Sequence, residues 1–257
     1  MTATQQWRAA LAVEWIKFRA APVSIVTSVL LVVGLMLISL ASVLAVGGSS
    51  AFAAKAAAVS TDRGWAGLFD GATQISSVAS LLAFGVVTGW MFGREFTDGT
   101  VTALYGIPVS RPAVAAAKFT VVAAWMCAMA LSLTAAVVTG GWLLGFRGSS
   151  GEVAALAGKL LLVTLLTGLL ALPCACVATT GRGYLAAIGA VIAVVVLAQV
   201  AVIVGIGGWF PFAAPGLWAA AGGGVLGATA VVQLLLALPV AALALWLTLR
   251  MWRRLAA

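Results

Sequence analysis

The sequence predicts an all-α polytopic membrane protein. Only 8% of its 257 residues are charged while 64% are hydrophobic; a soluble domain of this size carries roughly 25% charged residues. Mean hydropathy is +1.19. The apolar runs are continuous, whereas an outer-membrane-type barrel shows alternating segments of about ten residues.

A spanning helix needs about 20 apolar residues, and a charge at mid-membrane costs at least ~2.5–3.5 kcal/mol. Charge-free runs at 20–54, 71–93, 119–146 and 160–181 therefore each hold one crossing. The fifth run, 183–249, is too long for one helix. It is interrupted by Gly207, Gly208, Pro211, Pro215, Gly216 and Gly222 to Gly224, which break regular helix. Six spans result, at about 23–46, 73–93, 119–146, 158–179, 184–206 and 225–249, in one transmembrane domain covering 1–257.

With both termini cytoplasmic, the inner set of cations is Arg8, Lys17, Arg19, Arg94, Arg111, Lys118, Arg182, Arg250, Arg253 and Arg254. The outer set is Lys55, Arg63, Arg147 and Lys159. Ten against four is a positive-inside bias and requires an even number of spans. The net charge of +8 is thereby explained as orientation rather than as nucleic-acid binding. Residues 1–22 lack the short apolar core and small-residue cleavage site of a signal peptide. Cys174 and Cys176 fall near the reducing cytoplasmic face, so no disulfide is expected.

Within 1–22, Trp7, Leu11, Trp15 and Phe18 share one helical arc, which predicts a helix lying along the inner leaflet. Glu14 interrupts that arc, and Lys17 and Arg19 lie off it or at its edge. Trp209, Phe210, Phe212 and Trp218 cluster at the outer boundary in segment 207–224. They form either an aromatic belt or a short re-entrant helix capping an outer gate. Gly85, Gly89 and Gly93 recur at the four-residue spacing that lets helix backbones approach closely.

The long polar break at 94–112 carries the functional reading. The stretch from Gly93 to Lys118 holds Arg94, Glu95, Asp98, Arg111 and Lys118, five of twenty charged residues. Thr97 or Asp98 can cap a helix on which Val101, Leu104 and Tyr105 fall on one apolar face. Pro108 stops it, and Ser110 can cap the next helix with Pro112 in its first turn. The expected product is a short amphipathic helix tied at both ends to spanning helices, where another protein docks. A plain positive-inside loop accounts for Arg94, Arg111 and Lys118 but not for Glu95, Asp98 or the spacing.

Catalytic and cofactor motifs fail in context. Gly148-Ser149-Ser150-Gly151 has no histidine in the chain to activate a serine. Gly181-Arg182-Gly183 follows a membrane span, not the strand that a dinucleotide fingerprint needs. Gly158-Lys159 lacks the upstream glycine of a P-loop. No cofactor, metal or ATPase motif is legible, and the chain reads as a transport subunit rather than an enzyme. The spans also lack buried acids or bases, which counts against an ion-coupled carrier, although backbone carbonyls can bind sodium; a carrier acting without an ATPase, ion-coupled or passive, is the alternative reading.

The run Arg94-Glu95-Phe96-x-x-Gly99-Thr100-x-x-x-Leu104-x-x-x-Pro108-Val109-Ser110-Arg111, followed by Ala117-Lys118, resembles the signature of type-2 ABC transporter permeases of the bacterial antibiotic-efflux and bacteriocin-immunity kind. Glu14-x-x-Lys17-x-Arg19 is similar to that family's amphipathic N-terminal helix. The resemblance implies an exporter of two permease subunits, identical or different, in the bacterial inner membrane. It implies a separate ATPase that binds the ATP and docks on the coupling helix at 94–112. The apolar crossings fit a hydrophobic or amphipathic cargo, such as a drug, peptide or lipid-like molecule reached from the bilayer, and a dimer seam leaves room for a polar pathway instead. Glu95, Gly99, Thr100, Leu104, Pro108, Arg111 and Lys118 carry over by position, beside Asp98.

Overall fold

The computed structural model describes residues 2–60, 62–101, 109–221 and 227–255. Among them there is no strand, and six helices are long and apolar enough to cross a membrane. The protein is an all-α polytopic membrane protein.

Helix α1 (Ala3–Arg19) opens on a capping box, with Thr2 accepting from the Gln5 backbone and Gln5 accepting from Thr2. The first span, α2 (Pro22–Ala45), starts with proline in its first turn and widens to π geometry over Leu30–Gly34. A short helix α3 (Ala51–Val59) leads to α4 (Trp65–Thr97), the second span. Then come α5 (Arg111–Leu143), α6 (Ser150–Thr180), α7 (Tyr184–Ile203), the short α8 (Ala214–Ala220) and α9 (Ala228–Arg254). Pro173 and Pro239 each remove a helical donor, and α6 and α9 change register beside them, at Leu172 and Leu236.

Helices α4, α5, α6 and α9 extend past the charge-free runs at one end or both. α4 contains Asp70, Arg94 and Glu95; α5 contains Lys118; α6 contains Lys159. These charges are tolerated inside helices because each has an ion-pair partner. The expectation that the spans lack buried acids and bases is therefore corrected. The middle of the bundle holds hydroxyls instead, with Ser76 bonded to Ser80 at 3.1 Å and to Thr164 at 2.9 Å.

α4 is the hub. It packs against α5, α6, α7 and α8 and is 56% buried over its most apolar stretch. Phe69, Phe84, Met91 and Phe92 are fully buried there. Gly85, Gly89 and Gly93 all face α7 of the same chain. A Cβ on Gly85 would lie 2.6 Å from Val191 Cγ2 and one on Gly89 would lie 2.5 Å from Ala187 Cβ, while at Gly93 it would meet the backbone of Tyr184. The outer surfaces of α2, α7 and α9 are apolar and exposed, as helices facing lipid require.

Candidate functional site: a buried charge cluster beneath a polar hinge

One end of the bundle gathers α1, the end of α4, the start of α5, the α6–α7 turn and the end of α9. At this charged end α1 lies across α5. Its inward face is Trp7, Ala10, Leu11, Glu14 and Phe18, with Glu14 only 3% exposed. Trp15 departs from the expected arc: it points outward, 44% exposed, with Val13 and Ile16 beside it. Glu14 takes the place on the inner face because cations wait for it there.

Those cations come from three helices. Lys118, fully buried, donates to Glu14 Oε2 at 2.8 Å and to Glu95 Oε1 at 3.0 Å. Arg94 donates to Glu14 Oε2 at 2.8 Å, and its guanidinium lies 4.7 Å from the centroid of the Trp90 ring. Lys17 stands 3.5 Å from both Glu14 and Glu95. The second oxygen of Glu95 accepts from the Thr100 hydroxyl at 2.7 Å. Aromatic rings wall the cluster: Phe18 meets Trp90 and Trp125, and Trp252 of α9 meets Phe92 and Phe96. Such a wall lowers the local dielectric and strengthens each pair.

The cluster joins three segments that are distant in sequence. Gln6 adds a bond from Ser110 N at 3.2 Å, and Trp125 donates to Ser28 at 2.8 Å. Both helices that flank the polar hinge are thus locked to one another and to α1.

The hinge residues divide. Glu95 and Lys118 lie inside the protein, 3% and 0% exposed, and in this arrangement offer no surface to a partner. Asp98, Gly99 and Thr100 are exposed, with Gly99 in left-handed backbone at φ 68°. Arg111, half-buried, opens α5. Arg19 is exposed. Leu104 and Pro108, with the expected coupling helix around them, lie outside the described residues.

At the far end, Lys159 is 7% exposed and donates to Ala219 O at the end of α8 at 3.1 Å. It stands 3.5 Å from Asp70 and 5.9 Å from the centroid of the Trp218 ring. Of the four aromatics of this region, Trp209 is exposed, and Phe210, Phe212 and Trp218 are half-buried. Phe212 borders a cavity of about 230 Å³ that also touches Gln74, Ser77, Gln199 and Leu217, between α4, α7 and the segment of α8. The Lys159–Asp70 pair and the role of Trp252 were missed from sequence. A lysine and an aspartate at the edges of apolar runs were the only available signal.

Six helices of spanning length surround a polar hinge to which α1 is ionically fixed, the architecture of a multi-pass membrane subunit. The chain belongs to the ABC-2 family: the model of the ABC-2 family transporter protein matches residues 10–199. That match takes in Glu14, the hinge and Lys118. No curated protein matches the sequence significantly.

Proposed function

We propose that this chain is the permease subunit of an ATP-driven exporter, with the charged end in the cytoplasm and a separate ATPase docking on the 94–112 segment. The observation that carries this reading is the buried cluster of Glu14, Arg94, Glu95 and Lys118. It fixes α1, α4 and α5 to one base while the hinge beyond it, from Asp98 to Thr100, stays exposed. A force applied to such a hinge is carried into both flanking spans at once, because the pairs tie the two helices together and a buried charge left without its partner costs about 3–5 kcal/mol.

On this reading the docking contacts are Asp98, Gly99, Thr100, Leu104, Pro108 and Arg111. Glu95 and Lys118 serve as the base that transmits the force. The cargo is hydrophobic or amphipathic, moved outward, and the working unit holds two permease subunits in a bacterial inner membrane. The segment carrying Trp209, Phe210, Phe212 and Trp218 closes the outer face.

The test is site-specific crosslinking from Thr100→Cys in a chain freed of Cys127, Cys174 and Cys176, carried out in native membranes. A crosslinked partner that hydrolyses ATP, together with ATP-dependent efflux by the reconstituted pair, is expected. Labelling of Thr100→Cys by an impermeant thiol reagent on intact cells would place the hinge outside and refute the reading. So would gradient-driven flux from the purified chain alone.

A further inference from the structure

The charged end holds more cations than its acids can neutralise. The chain has six acidic residues, Glu14, Asp62, Asp70, Glu95, Asp98 and Glu152. Glu14 and Glu95 are held in the buried cluster, Asp62, Asp70 and Glu152 belong to the far end, and Asp98, exposed at the hinge, makes no ion pair among the described residues. Among the described residues, Arg182 of the α6–α7 turn and Arg254 at the end of α9 take part in no ion pair. Both are exposed, and both line one cavity of about 460 Å³. The rest of its lining is Phe96 and Val101 from the base of the hinge, Met251 of α9 with Leu255 just after it, and the hydroxyl residues Thr179 and Thr180 of the last turn of α6.

A second observation singles out Arg182. Its backbone is left-handed, at φ 48°, a region that non-glycine residues seldom occupy. Glycines stand on both sides of it, at 181 and 183, yet neither is left-handed and the one left-handed position of the turn is held by the arginine. Strain retained where a glycine would relieve it points to use of the side chain.

From these observations we infer that the Arg182–Arg254 cavity binds the headgroup of an anionic phospholipid. The phosphate bridges the two guanidiniums, and the glycerol and upper acyl carbons rest on Phe96, Val101, Met251 and Leu255. A lipid fits better than a soluble anion because Phe96, Val101, Met251 and Leu255 form an apolar shelf beside the two arginines, at the ends of the spanning helices α6 and α9. A lipid fits better than an acidic protein surface because the neighbouring face of α9 is built for the interface. There Trp246 is 53% exposed, with Arg250 stacked 5.1 Å from its ring centroid. The bound headgroup would touch the root of the hinge through Phe96 and Val101, so membrane charge would tune hinge position.

The experiment is native mass spectrometry of the full chain exchanged into nanodiscs of phosphatidylglycerol or phosphatidylcholine. Each arginine near an anionic lipid is worth roughly five-fold in binding, so the pair gives about 25-fold preference for phosphatidylglycerol. Arg182→Gln with Arg254→Gln is expected to abolish that preference. Arg182→Lys with Arg254→Lys is expected to keep most of it, and Lys55→Gln with Arg147→Gln, the same charge change at the far end, is expected to keep all of it. Equal retention of the two lipids by the unaltered chain overturns the inference even if the glutamine variant does not fold. Unchanged preference in that variant overturns it as well. Full displacement of the lipid by millimolar glycerol phosphate would assign the cavity to a soluble phosphate. Lipid retained but ATPase association lost in the glutamine variant would assign the arginines to a protein interface. Either result overturns the lipid assignment.

Discussion

Replacing Lys118 by methionine removes one charge from a cluster that counts two carboxylates, Glu14 and Glu95, against three cations, Lys17, Arg94 and Lys118. Charge counting alone would make the change mild, since two of each sign remain. Geometry decides otherwise. Glu14 keeps Arg94 at 2.8 Å, but the Oε1 oxygen of Glu95 is left with Lys17 at 3.5 Å and the Arg94 Nε at 3.7 Å. Neither is a hydrogen-bond distance, and Lys17 is 44% exposed and screened by solvent. A carboxylate buried to 3% exposure thus loses its only close cation, a change that costs about 3–5 kcal/mol. At about 2–4 °C per kcal/mol for a chain of this length, the melting temperature should fall by roughly 6–20 °C. Tryptophan-fluorescence melting in detergent measures this, with Trp90, Trp125 and Trp252 beside the cluster as reporters. A cycle with Glu14→Gln should show coupling above about 1 kcal/mol between the two positions. A Lys118→Met protein that melts within about 2 °C of the unaltered chain, or coupling under about 0.5 kcal/mol, would refute the account of the cluster.

Glu95→Arg would set a fourth cation among Arg94, Lys118 and Lys17, so the protein should fail to accumulate as a monodisperse species, whereas Asp98→Arg should accumulate normally and lose only ATPase association; size-exclusion profiles separate the two. Gly89→Ala forces α4 away from Ala187 and should cost about 1–3 kcal/mol, read as a lower melting temperature. Lys159→Met releases the Ala219 carbonyl and Asp70, and amide exchange over Ala214–Ala220 should quicken by about 5- to 150-fold, the equivalent of about 1–3 kcal/mol of local stability. Unchanged exchange there would show that Lys159 does not hold α8. Thr100→Val removes the 2.7 Å bond to Glu95 and should weaken coupling of ATP hydrolysis to efflux while lowering stability by only about 1 kcal/mol.

The span count was legible because crossing a bilayer requires length and apolarity, both local properties of the chain. The span ends were not. Asp70, Lys118 and Lys159 look like boundary markers in sequence, since an isolated charge is costly in the membrane. Whether a charge is isolated depends on which helix lies beside it. Glu14 shows the same limit: on α1 alone it is a flaw in an apolar arc, and beside Lys118 and Arg94, 104 and 80 residues away, it is the anchor of that arc.

Composition and periodicity by themselves determined that this is a helical membrane protein of six spans with a polar hinge after the second span. The order of residues within the hinge pointed to its family. Tertiary structure alone decided which hinge residues are exposed and which are buried, that the three glycines of α4 contact α7, and that the arginines at 182 and 254 share a cavity. The physical reason is that desolvation and pairing are properties of a side chain's neighbours in space, and in a bundle of long helices those neighbours come from other segments of the chain.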